Sequence, residues 1–189
     1  MHWMGKIPSA ACLLLVTVLL AGCGGAREIR PPEGSDRAFV FGNLVIGDKE
    51  QYVCSTIYLL EFGVPTSYKT TPQAICYLNG NFFFENIKPG KYDFWQIVAG
   101  NRRYLVPSMS KNKEEAERSR IAFVAKPGEV VYVGSFQILG EKSAFFGPGS
   151  FSIKRVKKPM EKEILQQLQE ETKGTGWDKR IATRLSRMK

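Results

Sequence analysis

The apolar positions of this chain fall into three textures. Ile7 to Leu20 is almost continuously apolar, broken only by Pro8, Ser9 and Thr17. From Arg37 to about Val156 the chain alternates short Phe/Tyr/Val/Ile-rich runs with Gly, Pro and Asn, the pattern of strands and turns. From Lys158 onward the apolar residues recur at helical spacing. The predicted strands are Ala38–Ile46, Gln51–Phe62, Gln73–Leu78, Asn81–Ile87, Lys91–Val98, Arg102–Val106, Ile121–Ala125, Glu129–Leu139 and Phe151–Val156. Gln51–Phe62 is apolar on both alternating faces and reads as one interior strand. Asn79-Gly80 is a two-residue hairpin signal, and Lys88-Pro89-Gly90 and Lys126-Pro127-Gly128 separate further strand pairs. A single helical turn fits Lys113–Arg118. Seven to nine short strands at this spacing predict a mainly β fold, an antiparallel sandwich, followed by a pair of short amphipathic helices.

The helices are expected over Met160–Lys173 and from Thr175 or Asp178 to the C-terminus, with Pro159 at the first helix start and Gly174 at its stop. Met160, Ile164, Leu165 and Leu168 form one stripe, and Trp177, Ile181, Leu185 and Met188 the other. Helices this short are marginal alone in water, so they must dock: on their own sandwich, on a partner protein, or on an anionic membrane surface. Trp177, Ile181 and Leu185 are the candidate interaction residues.

The first texture is too short for a membrane span, which needs roughly 20 apolar residues. With Lys6 before it, it reads as an export signal. It ends in Leu20-Ala21-Gly22-Cys23, which resembles the lipobox of bacterial lipoproteins. That resemblance implies removal of residues 1–22 and lipidation of Cys23, which would become the first mature residue. It also implies a cell-envelope location, with Gly24 favouring the outer over the inner membrane. The expected organisation is a leader at 1–22, a lipidated cysteine and tether at 23–36, a sandwich at 37–157 and a basic helical arm at 158–189. The tether has three glycines, two prolines and one isolated Ile, and is expected to stay unpacked.

Charge and chemistry narrow the function. The net charge is +9, but residues 24–153 are nearly neutral and the last 36 residues hold 11 Lys+Arg against 5 Asp+Glu. That is a basic tail rather than the stripe across the fold that nucleic-acid binding requires. The one histidine is His2, so a processed chain has none, which excludes histidine triads, His-ligated zinc and imidazole relays. The sequence has no metal-ligand cluster, phosphate loop or nucleophile motif, and no cofactor or metal is expected.

One motif goes further. Gly80-Asn-Phe82-Phe-Phe84-Glu-Asn86-Ile87-Lys-Pro89-Gly90-Lys-Tyr92 fits G-x-F-x-F-x-N-I-x-P-G-x-Y. It resembles the hairpin of carboxypeptidase regulatory-like domains, which are prealbumin-like (transthyretin-like) sandwiches. Physically, Phe82 and Phe84 enter the core from one face, Asn86 bonds its own backbone, and Gly90 takes the positive φ of a type II turn. Tyr92 covers the core rim with its hydroxyl near water. The resemblance implies an accessory domain that binds or spaces and brings no catalytic residues.

Cys54 and Cys76 remain after processing and are either a disulfide or two buried thiols. The expected function is a non-enzymatic, membrane-anchored envelope module, with an envelope protein or glycan as partner. The alternative is carbohydrate binding or carboxylate-dependent glycan processing. Its candidate acids are Glu114, Glu115 and Glu117 in a polar loop and Glu61 and Asp93 within strands. Its candidate sugar-stacking aromatics are Trp95, Tyr104, Phe145 and Phe146.

Overall fold

The computed structural model describes residues 29–47, 52–64, 71–77, 79–106, 113–118, 120–142 and 150–188. The leader, Cys23, Phe145 and Phe146 lie outside them. The chain is mainly β, with two sheets and a C-terminal helix pair. The strands are β1 (Ala38–Ile46), β2 (Tyr52–Val53), β3 (Thr56–Glu61), β4 (Ile75–Cys76), β5 (Asn81–Ile87), β6 (Gly90–Ala99), β7 (Arg102–Leu105), β8 (Ala122–Ala125), β9 (Val130–Lys142) and β10 (Ser150–Val156). The helices are α1 (Lys113–Arg118), α2 (Glu161–Glu171) and α3 (Trp177–Ser186).

The larger sheet runs β10-β9-β1-β5-β4, with β2 also on β1; the smaller runs β3-β6-β7, with β8 also on β6. β1 is central and nearly all buried because it is apolar on both faces. Ala38, Val40, Leu44 and Ile46 face the inter-sheet core, whereas Phe39 and Phe41 face the other way, into a second core. Gly42 lies where a Cβ would come within 2.6 Å of the Gly134 carbonyl and 2.7 Å of the Phe82 ring, so only glycine fits. The neighbouring bulge at Gly134 (φ 125°) switches the parity of β9. Val131 and Val133 before it, and Phe136 and Ile138 after it, therefore all face the same core.

Four expectations about the strands change. β1 pairs with β9 in parallel, so the sandwich is not purely antiparallel; local turn signals do not report a partnership between strands some 90 residues apart. The predicted interior strand Gln51–Phe62 is two short strands, one in each sheet, and among the described residues β3 lies at an edge, with a single bridge from Tyr58 to Gln73 beyond it. Both Lys-Pro-Gly turns are corners rather than hairpins: each carries the chain from one sheet to the other. The loop at Asn79-Gly80 is longer than two residues, since the Gly80 amide bonds the Tyr77 carbonyl and the Tyr77 amide the Asn81 carbonyl.

The helices pack on the outer face of the larger sheet, making a third layer. Ile164, Leu165, Leu168, Trp177 and Ile181 are fully buried there against Phe39, Phe41, Phe83 and Val130. Pro159 precedes the helix instead of opening it; Met160 is the N-cap residue, and its amide donates to the Glu163 carboxylate at 2.7 Å. That bond, with Lys158, holds the Glu163 carboxyl below its usual range. Gly176 (φ 87°) is the N-cap position of α3, with the Trp177 amide donating to Thr175 Oγ1 at 3.2 Å. No described helix is long and apolar enough to cross a membrane.

The tether is not unpacked along its whole length. Residues 29–36 lie against the body, and Ile29 is buried in the second core. The local composition is indeed that of a loop. Its order comes from partners far away in sequence, which local composition cannot reveal.

Candidate functional site

The thirteen-residue motif organises one end of the sandwich. Gly80 (φ 81°) closes the loop into β5, and a Cβ there would come within 2.9 Å of the Leu44 carbonyl. Phe82 and Phe84 lie in the inter-sheet core, edge-on to Phe94 at 5.6 and 6.2 Å. Phe83, between them, points to the opposite face and stacks on Phe39 at 5.3 Å. Its role was legible in the run of three phenylalanines, which leaves a strand no polar face.

The motif's polar residues act differently from expectation. Asn86 is, among the described residues, the non-glycine residue at positive φ (59°), a conformation that asparagine tolerates better than most. Its side chain does not bond its own backbone: Oδ1 accepts from the Glu33 amide at 2.7 Å and Nδ2 donates to the Pro31 carbonyl at 3.0 Å. Gly90 is not at positive φ. It opens β6 opposite Ala125, and a Cβ there would meet Tyr92 at 3.4 Å and Glu61 at 3.5 Å, ordinary contacts. A residue with a Cβ at position 90 therefore carries no positive-φ strain. Pro89 is exposed at the corner. Tyr92 is buried rather than at a wet rim, and its hydroxyl donates to the Lys88 carbonyl at 3.0 Å, closing that corner.

The segment 29–37 is strapped down from both sides. The Arg30 amide and Nε donate to the two oxygens of Glu85, whose side chain is almost wholly buried. This pairing raises the Arg30 pKa. Trp177 Nε1 donates to the Arg30 carbonyl at 2.9 Å. Arg180 stacks on the Trp177 ring at 4.8 Å and donates to the Arg37 carbonyl at 2.6 Å and the Gly34 carbonyl at 3.2 Å. The Gly128 amide bonds the Asp36 carbonyl at 2.9 Å.

Between the strap and the sandwich end is a cleft of about 500 Å³, lined by Arg30, Glu33, Glu61, Gln73, Glu85, Asn86, Lys88 and Tyr92 among others. Glu85 is engaged by Arg30 and the Tyr92 hydroxyl by a carbonyl. The cleft thus offers a mixed-charge rim of Glu33, Glu61 and Lys88, suited to hydrogen bonding a polar ligand. A smaller cavity of about 330 Å³ lies between Tyr77, Asn79, Asn81 and α2. There Asn43 Nδ2 donates to Asn81 Oδ1 at 2.8 Å, and Asn81 and Asn79 both donate to Gln167 Oε1, at 2.7 and 2.9 Å. This network fixes the hairpin to the helix layer.

Burial, followed by the Glu61 charge, pushes the Tyr92 phenol up to about 12; burial and Glu171 do the same for Tyr77. An unfolded chain loses these protons near pH 10, whereas the folded one keeps them. Stability from this source is intact below pH 10 and is lost as pH rises towards 12. Thermal melts should therefore hold steady to about pH 10 and fall above it. Tyr92→Phe should shallow that fall and lower neutral-pH stability by about 1 kcal/mol through the lost Lys88 bond. An unchanged alkaline slope in the variant would contradict the assignment.

The other candidate residues are dispersed. Cys54 and Cys76 form a disulfide with a Cα–Cα distance of 5.9 Å. Glu61 pairs across β3–β6 with Tyr92, and Asp93 with Leu60. Neighbouring pairs face opposite sides of a sheet, so these two carboxylates do not confront each other across a cleft. Asp93 is instead buried beneath Arg120, which donates to Oδ2 from Nε at 2.9 Å. Glu114 pairs with Arg118 within α1 and Glu117 with Arg120 just beyond it, each at 3.6 Å; the Glu115 side chain lies outside the described residues. Tyr104 is buried edge-on to Phe151 at 5.3 Å, so it is not a sugar platform, and Trp95 is half-buried. Trp177 and Ile181 are wholly buried against their own sheet and Leu185 packs beside them, so this stripe is core and not a free partner surface. Among the described residues no group of three or more His, Cys, Asp or Glu is placed to hold a metal ion.

No family model matches the chain, and no curated protein does. Among solved structures, it is similar to a DUF3823 family protein from Parabacteroides merdae, at 14% identity and a TM-score of 0.31. The match covers 65% of this chain and 60% of that one, so the chain spans less than two thirds of the protein it matches.

Proposed function

We propose that this chain is an exported, lipid-anchored envelope protein whose sandwich, related to the carboxypeptidase regulatory-like domains, works as a non-enzymatic binding or structural module. The observation that carries the reading is Leu20-Ala21-Gly22-Cys23 at the end of an apolar leader. The Cys54–Cys76 bond supports it, because such bonds persist in oxidising compartments outside the cytosol. The module's ligand surface is the mixed-charge cleft beside the strap. The helix pair serves the fold itself, holding the strap at Arg30, Gly34 and Arg37.

Two or three acyl chains, each CH₂ contributing about 0.8 kcal/mol, hold a protein on a bilayer firmly. Cell fractionation should therefore place the wild-type chain with membranes, in the outer rather than the inner fraction. Cys23→Ser should leave it either released or unprocessed at a higher mass. Identical fractionation and mass for both would overturn the reading.

A further inference from the structure

We infer that the sandwich end carrying Phe62, Val64 and Val124 is a membrane-contact surface, dipping into the headgroup region of the bilayer that holds the anchor; this rests on the lipid-anchor reading above. Two independent observations meet here. The first is where exposed apolar surface lies. Phe62, Val64 and Val124 are 51%, 48% and 50% exposed, and of the large hydrophobic side chains this exposed among the described residues only Met160 lies elsewhere. They are neighbours in space. The Phe62 amide bonds the Lys91 carbonyl, and Lys91 pairs with Val124 across β6–β8. Exposed Lys88, Lys91 and Lys126 stand among them. Apolar side chains interspersed with lysine are what a bilayer interface selects, the ring or alkyl group going down and the ammonium reaching phosphate.

The second observation is covalent reach. The strap is docked from Ile29 onward, and Asn86, Gly128 and Arg180 hold it along this same end. Only six peptide steps separate Cys23 from Ile29, at most about 22 Å of chain. A tether unpacked to residue 36 would have let the body stand off by about twice that distance. The pinned one keeps this end at the bilayer. Glu33, Asp36 and Glu61 share the end, so net charge there is small, and apolar insertion rather than electrostatic steering makes the contact. The basic face of α3 lacks the apolar half of such a surface, since its Trp177 and Ile181 are buried.

The test uses full-length protein purified from the membranes of producing cells and reconstituted in phosphatidylethanolamine/phosphatidylglycerol vesicles containing brominated lipid. Phe62→Trp and, as a second reporter, Val124→Trp should gain emission that brominated chains quench. Asn101→Trp, at the opposite end in the β6–β7 turn, should gain emission that they do not. The mass of the N-terminal peptide, read on the same sample, reports the anchor separately. Lipidated protein whose Phe62 and Val124 reporters escape quenching overturns the contact surface and leaves the anchor standing. Unlipidated protein whose reporters are quenched supports the surface and overturns the anchor, and unlipidated protein with no quenching overturns both.

Discussion

Replacing Trp177 by alanine should destabilise the protein by about 3–5 kcal/mol, the range for deleting a fully buried large aromatic side chain. The indole fills the junction of three elements. Its ring meets Phe39 at 5.2 Å, Arg180 lies over it, and its Nε1 is bonded to the Arg30 carbonyl. The substitution therefore empties a volume and also frees the strap. Urea denaturation followed by circular dichroism measures the first effect. The second should appear as faster proteolysis near Arg30 under native conditions. By the same logic, truncation after Lys158 should not leave an intact sandwich, because it would bare Phe39, Phe41, Phe83 and Val130 to water. A variant with unchanged stability would mean that the helix layer is dispensable to the fold.

Losing the Cys54–Cys76 bond is the second large effect. The two residues are 22 apart in sequence, and the loop-entropy relation assigns closure of such a loop about 3 kcal/mol. The bond ties the β2–β3 crossover to β4, beside hydrogen bonds from Thr56 to the Ala74 carbonyl and from the Ala74 amide to the Ile57 carbonyl. The double variant Cys54→Ala/Cys76→Ala should lower the urea midpoint with little change in slope. Adding reductant should lower the midpoint of the wild type but not of the variant. Equal midpoints for the two proteins in oxidising buffer would show that the bond constrains nothing.

Much of this architecture was legible in the residues, and what was not has identifiable causes. Strand positions follow from alternation and turn chemistry, and the helix pair from Ile164, Leu165 and Leu168 and from Trp177 and Ile181 at helical spacing, whereas Met160, read into the first stripe, is an exposed N-cap residue. Sheet membership does not. The crossover inside Gln51–Phe62 occurs at Cys54-Ser55, where the Ser55 amide turns to the Val98 carbonyl, yet Tyr52 and Val53 before it and Ile57 to Leu60 after it are all apolar. The Lys-Pro-Gly turns announce a reversal but not whether the next strand pairs with the last. The covering layer was partly announced: Phe39, Phe41 and Phe83 are apolar residues on a face that a two-layer sandwich would leave wet. That signal and the amphipathic helices needed to be read together. The candidate site was least visible. Asn86 and Glu85 act on residues more than fifty positions earlier, and a segment as polar as Arg30–Asp36 gives no local indication that it is held. Gly90 shows the converse error, a residue suited to positive φ at a place where the backbone is extended.

The envelope location and the membrane-contact surface both depend on lipid at Cys23. Mass spectrometry of the N-terminal peptide from detergent-extracted protein addresses this directly. The expected result is a chain beginning at Cys23, its thiol bearing diacylglycerol. A chain retaining residues 1–22, or one with an unmodified Cys23 thiol, would contradict it.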